Sequence, residues 1–312
     1  MTKDLAGFTG RIITSAVSKT ADLDGKSDCG NLPGLVSWVW YDGDMDWQDA
    51  KDVLAGLADG GRLGLVCDVD GTLSPIVGHP DQAAVTPRNR SLLAALRAAL
   101  PLTAVLSGRS AEDVYHRIGI DGLVTIGNHG LERWQDGRAQ ALPAAAKYRP
   151  ALERAIVDAG KKLLQGMLLE DKGVTFSVHY RQTERPGQVR TQMTPILQKI
   201  ADGHGLRLTQ GRMVFEFRPP VDVDKGMAFS SLVREYRLEA ALYLGDDTTD
   251  IAALQAARSL RRSGECRGYG FAVVSAGTPG AVLDAADFSV QGVEGVESFL
   301  DWLLRACTAS ST

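Results

Sequence analysis

Cysteine is scarce in this chain: Cys29, Cys67, Cys266 and Cys307 stand far apart, with no Cys-x-x-Cys pair and no interleaved histidine. That spacing argues against a disulfide framework and against a thiolate zinc site. An excess of charge of one sign is also lacking. With 34 basic against 38 acidic residues and a net charge of -4, a polyanionic partner such as nucleic acid is not expected. No stretch approaches the roughly 20 apolar residues of a membrane helix, and no apolar core follows a basic start at the N-terminus. The expectation is a cytoplasmic protein without membrane attachment. Nucleotide motifs are missing too: no Gly-x-Gly-x-x-Gly follows a strand, and no complete Gly-x-x-x-x-Gly-Lys-Ser/Thr loop occurs.

What the sequence has is an ordinary globular composition, 44% hydrophobic over 312 residues, enough for one large domain or two modest ones. Residues 1–45 show no sustained period; they hold one tryptophan-rich apolar run, Leu35 to Trp40, and no function is assigned to them. From Asp46, a possible N-cap, the positions Trp47, Ala50, Val53, Leu54 and Leu57 follow helical spacing up to Gly60 and Gly61. An apolar strand through Leu65, Val66 and Cys67 comes next. Helices are expected over Pro87–Leu100 and Ala111–Ile118, with strands over Leu102–Leu106 and Leu123–Ile126. The rhythm returns as a helix Lys225–Tyr236, a strand Ala241–Leu244, a helix Ile251–Ala257, a strand Gly270–Val274 and a closing helix from Val296. Alternating strands and helices predict a doubly wound α/β parallel sheet built from two separated segments, 46–133 and 220–305, with a tail at 306–312.

Between them, residues 134–219 change character and predict an inserted, smaller α/β cap domain. A helix is expected from Pro150 to Leu164. Two alternating strands follow. In one, Val174, Phe176, Val178 and Tyr180 oppose Thr175, Ser177, His179 and Arg181; in the other, Met213, Phe215 and Phe217 oppose Val214, Glu216 and Arg218. Such a sheet buries its apolar face under helices and leaves the polar face for solvent or a ligand.

The chemistry gathers where three core strands end, because loops leaving the carboxyl ends of a parallel sheet meet in one crevice. The first strand delivers Asp68 and Asp70, in the run Asp-Val-Asp-Gly-Thr-Leu that includes Gly71 and Thr72. The second delivers Ser107, Gly108 and Arg109; the third delivers Asp246, Asp247 and Asp250 after Gly245. An acidic cluster from two strand ends suits a hard divalent cation, and Mg²⁺ is the expectation. A calcium loop is excluded, since its glycine must be sixth and here it is fourth. These residues suggest covalent phosphoryl transfer. Asp68 attacks phosphorus, Asp70 gives a proton to the leaving alcohol and later takes one from water, and Asp246 completes the metal site. Lys225 and the Ser107 hydroxyl hold the remaining phosphate oxygens, with Gly71, Thr72, Gly108, Arg109, Asp247 and Asp250 in support.

Asp-Val-Asp-Gly-Thr-Leu, Ser107-Gly108-Arg109, Lys225 and Gly245-Asp246-Asp247 resemble, in order, the four motifs of the haloacid dehalogenase superfamily of phosphotransferases. The resemblance implies a haloacid dehalogenase-like core, Mg²⁺ and an aspartyl-phosphate mechanism. It also implies metal ligation by the side chains of Asp68 and Asp246 and by the backbone carbonyl of Asp70. A closer resemblance, over roughly residues 60 to 300, is to the trehalose-6-phosphate phosphatases. It rests on Gly127-Asn128-His129-Gly130-Leu131-Glu132, Glu170-Asp171-Lys172-Gly173, His179-Tyr180-Arg181, and Gly211-Arg212 before Glu216, Arg218 and Pro219. It implies a disaccharide phosphate as substrate, bound by Asn128, His129, Glu132, Lys172, His179, Glu216 and Arg218. Two positions depart from the family pattern: Arg212 stands where many relatives have Lys, and Ile251 where many have Glu. Other readings of the same scaffold are a hexose phosphomutase, a phosphatase for sucrose phosphate or a glycosyl-glycerate phosphate, and a silent sugar-phosphate sensor.

Overall fold

The computed structural model describes residues 45–58, 61–77, 82–211 and 213–309. The run Leu35 to Trp40, Cys29, the stop at Gly60 and the departure at Arg212 lie outside the described residues, as do positions 1–44 of the extension. In chain order, α1 (Lys51–Ala58) leads into β1 (Leu63–Cys67), α2 (Pro87–Ala99), β2 (Leu102–Leu106), α3 (Ala111–Ile118) and β3 (Val124–Gly127). A hairpin of β4 (Glu132–Gln135) and β5 (Arg138–Ala141) follows, then α4 (Pro143–Ala146) and α5 (Arg149–Gly160). Next come β6 (Leu168–Asp171), β7 (Phe176–His179), α6 (Pro186–Gly203), β8 (Arg207–Gly211) and β9 (Val214–Arg218). The chain closes with α7 (Lys225–Glu235), β10 (Ala240–Gly245), α8 (Ile251–Arg262), β11 (Arg267–Val274), α9 (Gly280–Ala285), β12 (Phe288–Gln291) and α10 (Gly292–Ala309).

Eight strands form one sheet in the order β12-β11-β10-β1-β2-β3-β4-β5; the first six are parallel, and β4 and β5 run antiparallel at one edge. Every residue of β1, β2 and β10 is buried, as continuous apolar strands covered on both faces must be. Leu65, Cys67, Leu242 and Leu244 pack with side chains of α1, α2 and α10 on one face. Val66, Ala241 and Tyr243 pack with α7 and α8 on the other. The expected doubly wound α/β core is therefore present. Asp46 caps the turn before α1 by accepting the Gln48 N–H at 2.9 Å. Among the described residues, no helix is long and apolar enough to cross a membrane.

The second sheet, in the order β6-β7-β9-β8, is antiparallel throughout. Phe176, Val178, Phe215 and Phe217 lie on one face, buried with side chains of α5 and α6. The Phe176 and Phe217 rings stack at 4.1 Å. Five differences from the sequence expectation have local causes. The β4–β5 hairpin extends the large sheet, so positions 134–141 belong to that layer and not to the insert. The helix expected to reach Leu164 stops at Gly160. Gly211 pairs with Val214, which leaves Met213 in the turn at φ 62° and 41% exposed instead of on the apolar face. The helix α6 went unread because it opens on Pro-Gly and carries Pro195 inside, and β8 because Arg-Leu-Thr-Gln-Gly is an exposed edge without alternation.

Because the Phe176–Phe217 stack sits at the centre of the smaller layer, Phe176→Ala is expected to destabilise the protein by about 3–5 kcal/mol. Urea unfolding followed by circular dichroism measures this; a loss below about 1 kcal/mol would mean the insert does not depend on that stack.

Candidate active site

The Asp68 N–H continues the β1 ladder by donating to the Leu244 carbonyl at 2.9 Å, which fixes the carboxylate at the sheet's C-terminal edge. The chain then turns tightly: the Gly71 N–H donates to the Ser74 carbonyl at 2.8 Å, and the Ser74 N–H to the Val69 carbonyl at 2.9 Å. Gly71 sits at φ 86°, and a Cβ there would lie 2.1 Å from an Asp246 carboxylate oxygen. Only glycine allows both the left-handed backbone and that approach. At the end of β2, the Ser107 Oγ accepts the Arg109 N–H at 3.2 Å, and the His129 ring lies over Gly108, 2.6 Å from where its Cβ would be.

Lys225 enters from the first turn of α7 and is 2% exposed. Its Nζ lies 2.8 Å from Asp68 Oδ1 and 2.7 Å from Asp250 Oδ1. Asp250 has no oxygen to spare. Its Oδ1 also accepts the Tyr243 hydroxyl at 2.5 Å, and its Oδ2 accepts the N–H groups of Asp246 at 3.2 Å and Asp247 at 3.1 Å. It is a buttress that ties the β10 loop to Lys225. Burial, then the Asp250 carboxylate, push the Asp68 carboxyl well up, with Lys225 pulling the other way. Burial, then Asp68 and Asp250, push Asp246 up as well. Burial lowers Lys225, but Asp250 and Asp68 outweigh it and keep the ammonium charged.

Carboxylate oxygens of Asp68, Asp246 and Asp250 lie within 4.8 Å of one another, and Asp246 Oδ1 is buried without a partner. One ammonium cannot neutralise three buried acids. The surplus negative charge, the orphaned oxygen and the all-oxygen donor set fit a hard divalent cation. Asp68 and Asp246 have oxygens for it; Asp250 does not.

A cavity of about 460 Å³ opens between these strand ends and the polar face of the smaller sheet. Strand register sets its far wall. Glu170, Ser177, Glu216 and Thr209 pair across β6, β7, β9 and β8 to make one row; Leu168, His179, Val214 and Gly211 make the next. All eight line the cavity. Lys172 Nζ reaches Glu216 Oε1 at 3.6 Å, and His129 Nε2 reaches Glu216 Oε2 at 3.4 Å. His179 Nε2 is 2.8 Å from Glu170 Oε2. Burial pushes the Glu216 carboxyl up, yet His129, Lys172 and Arg218 outweigh it and hold it at about 2. Burial lowers His129 in turn, with Glu216 opposing, so above the histidine range Lys172 and Arg218 supply the permanent part of that pull.

Of the residues expected to bind or react, Asp68, Asp70, Ser107, Gly108, Arg109, His129, Lys172, His179, Glu216, Arg218, Lys225, Asp246 and Asp247 all line this one cavity. Asn128 and Glu132 do not. The Asn128 Nδ2 donates to the Lys172 carbonyl at 2.9 Å, and its Oδ1 accepts the Thr175 hydroxyl at 2.6 Å, so it joins the two layers. Glu132 Oε1 accepts the Ala111 N–H at 2.6 Å, at the start of α3. Both side chains are committed to protein partners instead of facing the cavity. Thr72 is fully buried behind the loop, its hydroxyl without a partner. Glu170, Arg181, Thr209 and the exposed Ile76 also line the cavity; the first two stand within the motifs Glu170-Asp171-Lys172-Gly173 and His179-Tyr180-Arg181, whereas nothing local in the sequence marks Thr209 or Ile76.

Solved structures share this architecture. A haloacid dehalogenase-like hydrolase from Bacteroides thetaiotaomicron shares the fold and superimposes with a TM-score of 0.51 at 15% identity over 78% of this chain and 99% of its own. The chain belongs to the trehalose-phosphatase family, whose sequence profile matches residues 66–289. The trehalose-phosphate phosphatase of Mycobacterium tuberculosis is 37% identical over 223 residues, covering 67% of this chain and 56% of that protein. Trehalose-phosphate phosphatase B of Arabidopsis thaliana is 29% identical over 275 residues, covering 81% of this chain and 69% of that protein. The C-terminal domain of a C. albicans trehalose-6-phosphate phosphatase superimposes with a TM-score of 0.68 at 20% identity, over 85% of this chain and 98% of that one.

A carboxyl held below its unfolded value stabilises the fold above the unfolded pKa and loses that contribution as the pH falls through the folded one. The stability advantage of the wild type over Glu216→Gln is therefore expected to be present above about pH 4.5 and to shrink steadily as the pH falls toward 2, while the share owed to His129 fades above the histidine range. Urea unfolding of both proteins between pH 6 and pH 3 checks this, and a difference that does not change with pH would show that charge does not hold Glu216.

Proposed function

We propose that the chain hydrolyses trehalose 6-phosphate to trehalose and phosphate in the cytoplasm, through a phosphoryl group carried on Asp68. Membership of the trehalose-phosphatase family supports the reaction. The observation that carries the roles is the meeting of Asp68, Lys225 and the unpartnered Asp246 oxygen in the same cavity as Glu216, Lys172 and His129. A volume of about 460 Å³ is within the range of small-molecule sites, about 300–1,000 Å³. Buried thiols at Cys67 and Cys266, outside any disulfide, accord with a reducing compartment.

In the first step an Asp68 oxygen forms a bond to phosphorus, the bond from phosphorus to the sugar oxygen breaks, and Asp70 gives that oxygen a proton. In the second, water attacks the aspartyl phosphate, Asp70 takes its proton, and Asp68 is regenerated with release of phosphate. Lys225 holds the attacking carboxylate in one orientation from 2.8 Å and places a fixed positive charge beside the incoming phosphate. The Ser107 hydroxyl and the backbone around Gly108 are positioned for the phosphate oxygens. Asp68 and Asp246, with the Asp70 backbone, would hold Mg²⁺, which when bound offsets the repulsion between carboxylate and phosphate and orients the phosphoryl oxygens. Glu216, Lys172, Glu170 and His179 offer the mixed acceptors and donors that sugar hydroxyls need.

Phosphate release is expected with Mg²⁺ from trehalose 6-phosphate, and not with EDTA. Glucose 6-phosphate, sucrose 6-phosphate and a glucosylglycerate phosphate should react far more slowly; equal rates on all would sink the substrate assignment, and transfer without free phosphate would favour a mutase. Asp68→Asn is expected to lower turnover on the order of 10⁴-fold or more; appreciable activity in that variant would place the nucleophile elsewhere.

A further inference from the structure

Arg109 is held from two sides. Its Nε and Nη2 donate to the two oxygens of Asp70 at 2.6 and 2.9 Å, and its Nη1 donates to Asp113 Oδ2 at 3.0 Å. Asp113 is fixed in turn: both its oxygens accept Arg117 Nε at 2.8 Å, and its N–H donates to the Ser110 hydroxyl at 3.2 Å. Arg117 Nη1 donates to the Ala83 carbonyl at 2.7 Å. The series runs from the loop before α2, along α3 from its last turn to its first, to the carboxyl beside the nucleophile. Arg109 is the least exposed charged side chain of the series, at 12% against 33% for Asp113 and 38% for Asp70, and the Asp70 end lines the cavity.

We propose that Asp113 is a positioning residue that acts through Arg109 to aim Asp70. The inference rests on the reading of Asp70 as the proton-transfer group and deepens it. A carboxylate on a tight turn can rotate about its own side-chain torsions, whereas a bidentate guanidinium fixes its plane. That guanidinium is itself on a long, flexible stem and keeps one orientation only when its other edge is pinned. Each Asp70 oxygen retains a further lone pair for the proton it takes from water in the second half of the reaction. Asp113 touches neither the cavity nor any group proposed to react, so its effect must pass through Arg109.

The test separates the two halves of the reaction with p-nitrophenyl phosphate, whose leaving group needs no proton. With Asp113→Ala, steady-state turnover is expected to fall about 10²-fold, the cost of misaligning a reacting group by about 1 Å. Single-turnover release of p-nitrophenolate, measured with enzyme in excess, should keep the wild-type rate, because only the attack by Asp68 limits it. Adding Asp113→Ala to Asp70→Asn should cost less than about twofold further. A single-turnover rate that falls as much as turnover would mean a merely structural role and overturn the proposal. So would a raised KM for trehalose 6-phosphate with unchanged kcat, which would make Arg109 a substrate-binding group. If the wild type itself releases neither p-nitrophenolate nor phosphate, the hydrolase reading fails and the positioning role with it.

Discussion

Too many buried acids share too little positive charge at the ends of β1 and β10, and much of the surrounding structure follows from that imbalance. Asp68, Asp246 and Asp250 crowd within 4.8 Å, and Lys225 is the ammonium set among them. Buried carboxylates are tolerated when each oxygen has a partner. Asp250 meets that condition completely, through Lys225, the Tyr243 hydroxyl and two backbone N–H groups. Asp246 does not, and its unpartnered Oδ1 marks where the cluster is short of a cation. Gly71 is part of the same economy of space, because any side chain there would occupy the volume of the Asp246 carboxylate.

The second constraint is the register of the small sheet. Four strands present one row of polar side chains to the strand ends below, and the pleat repeats every two residues, so a slip of one position would turn Glu216 and His179 into the helices and Phe215 into the cavity. The stacked phenylalanines on the opposite face hold that register, which links packing under α5 and α6 to the groups facing the proposed substrate. The layers are tied by hydrogen bonds: Asn128 to the Lys172 carbonyl and the Thr175 hydroxyl, Lys172 Nζ to the Gly108 carbonyl at 3.2 Å, and Arg181 to the Val77 carbonyl at 2.8 Å. Lys172 therefore bridges the strand-end side of the cavity and the polar face of the small sheet.

Period and strand-end chemistry made the core readable. The strand Leu102–Leu106 and the helix Ala111–Ile118 fall on the residues that apolar spacing marks, because a doubly covered strand and an amphipathic helix each leave a direct trace in sequence. Elements whose residues are exposed or short left none: β8 is an open edge, β12 spans four residues, and α6 interrupts its own pattern with proline. Positions 134–141 join the large sheet because strand pairing, not composition, decides which sheet a strand joins.

The same division holds for the site. Sequence alone determined which acids and which glycine-bearing turns would stand at strand ends, since chain direction and the parallel sheet force those loops into one crevice. Only the tertiary structure decided how they divide the work. It closed Asp250 off with four hydrogen bonds while leaving Asp246 short of a partner. It turned Asn128 and Glu132 into struts away from the cavity. It also joined Asp70 to Arg109, 39 positions on. Such outcomes depend on distances between residues remote in the chain, and no local pattern of side chains encodes them.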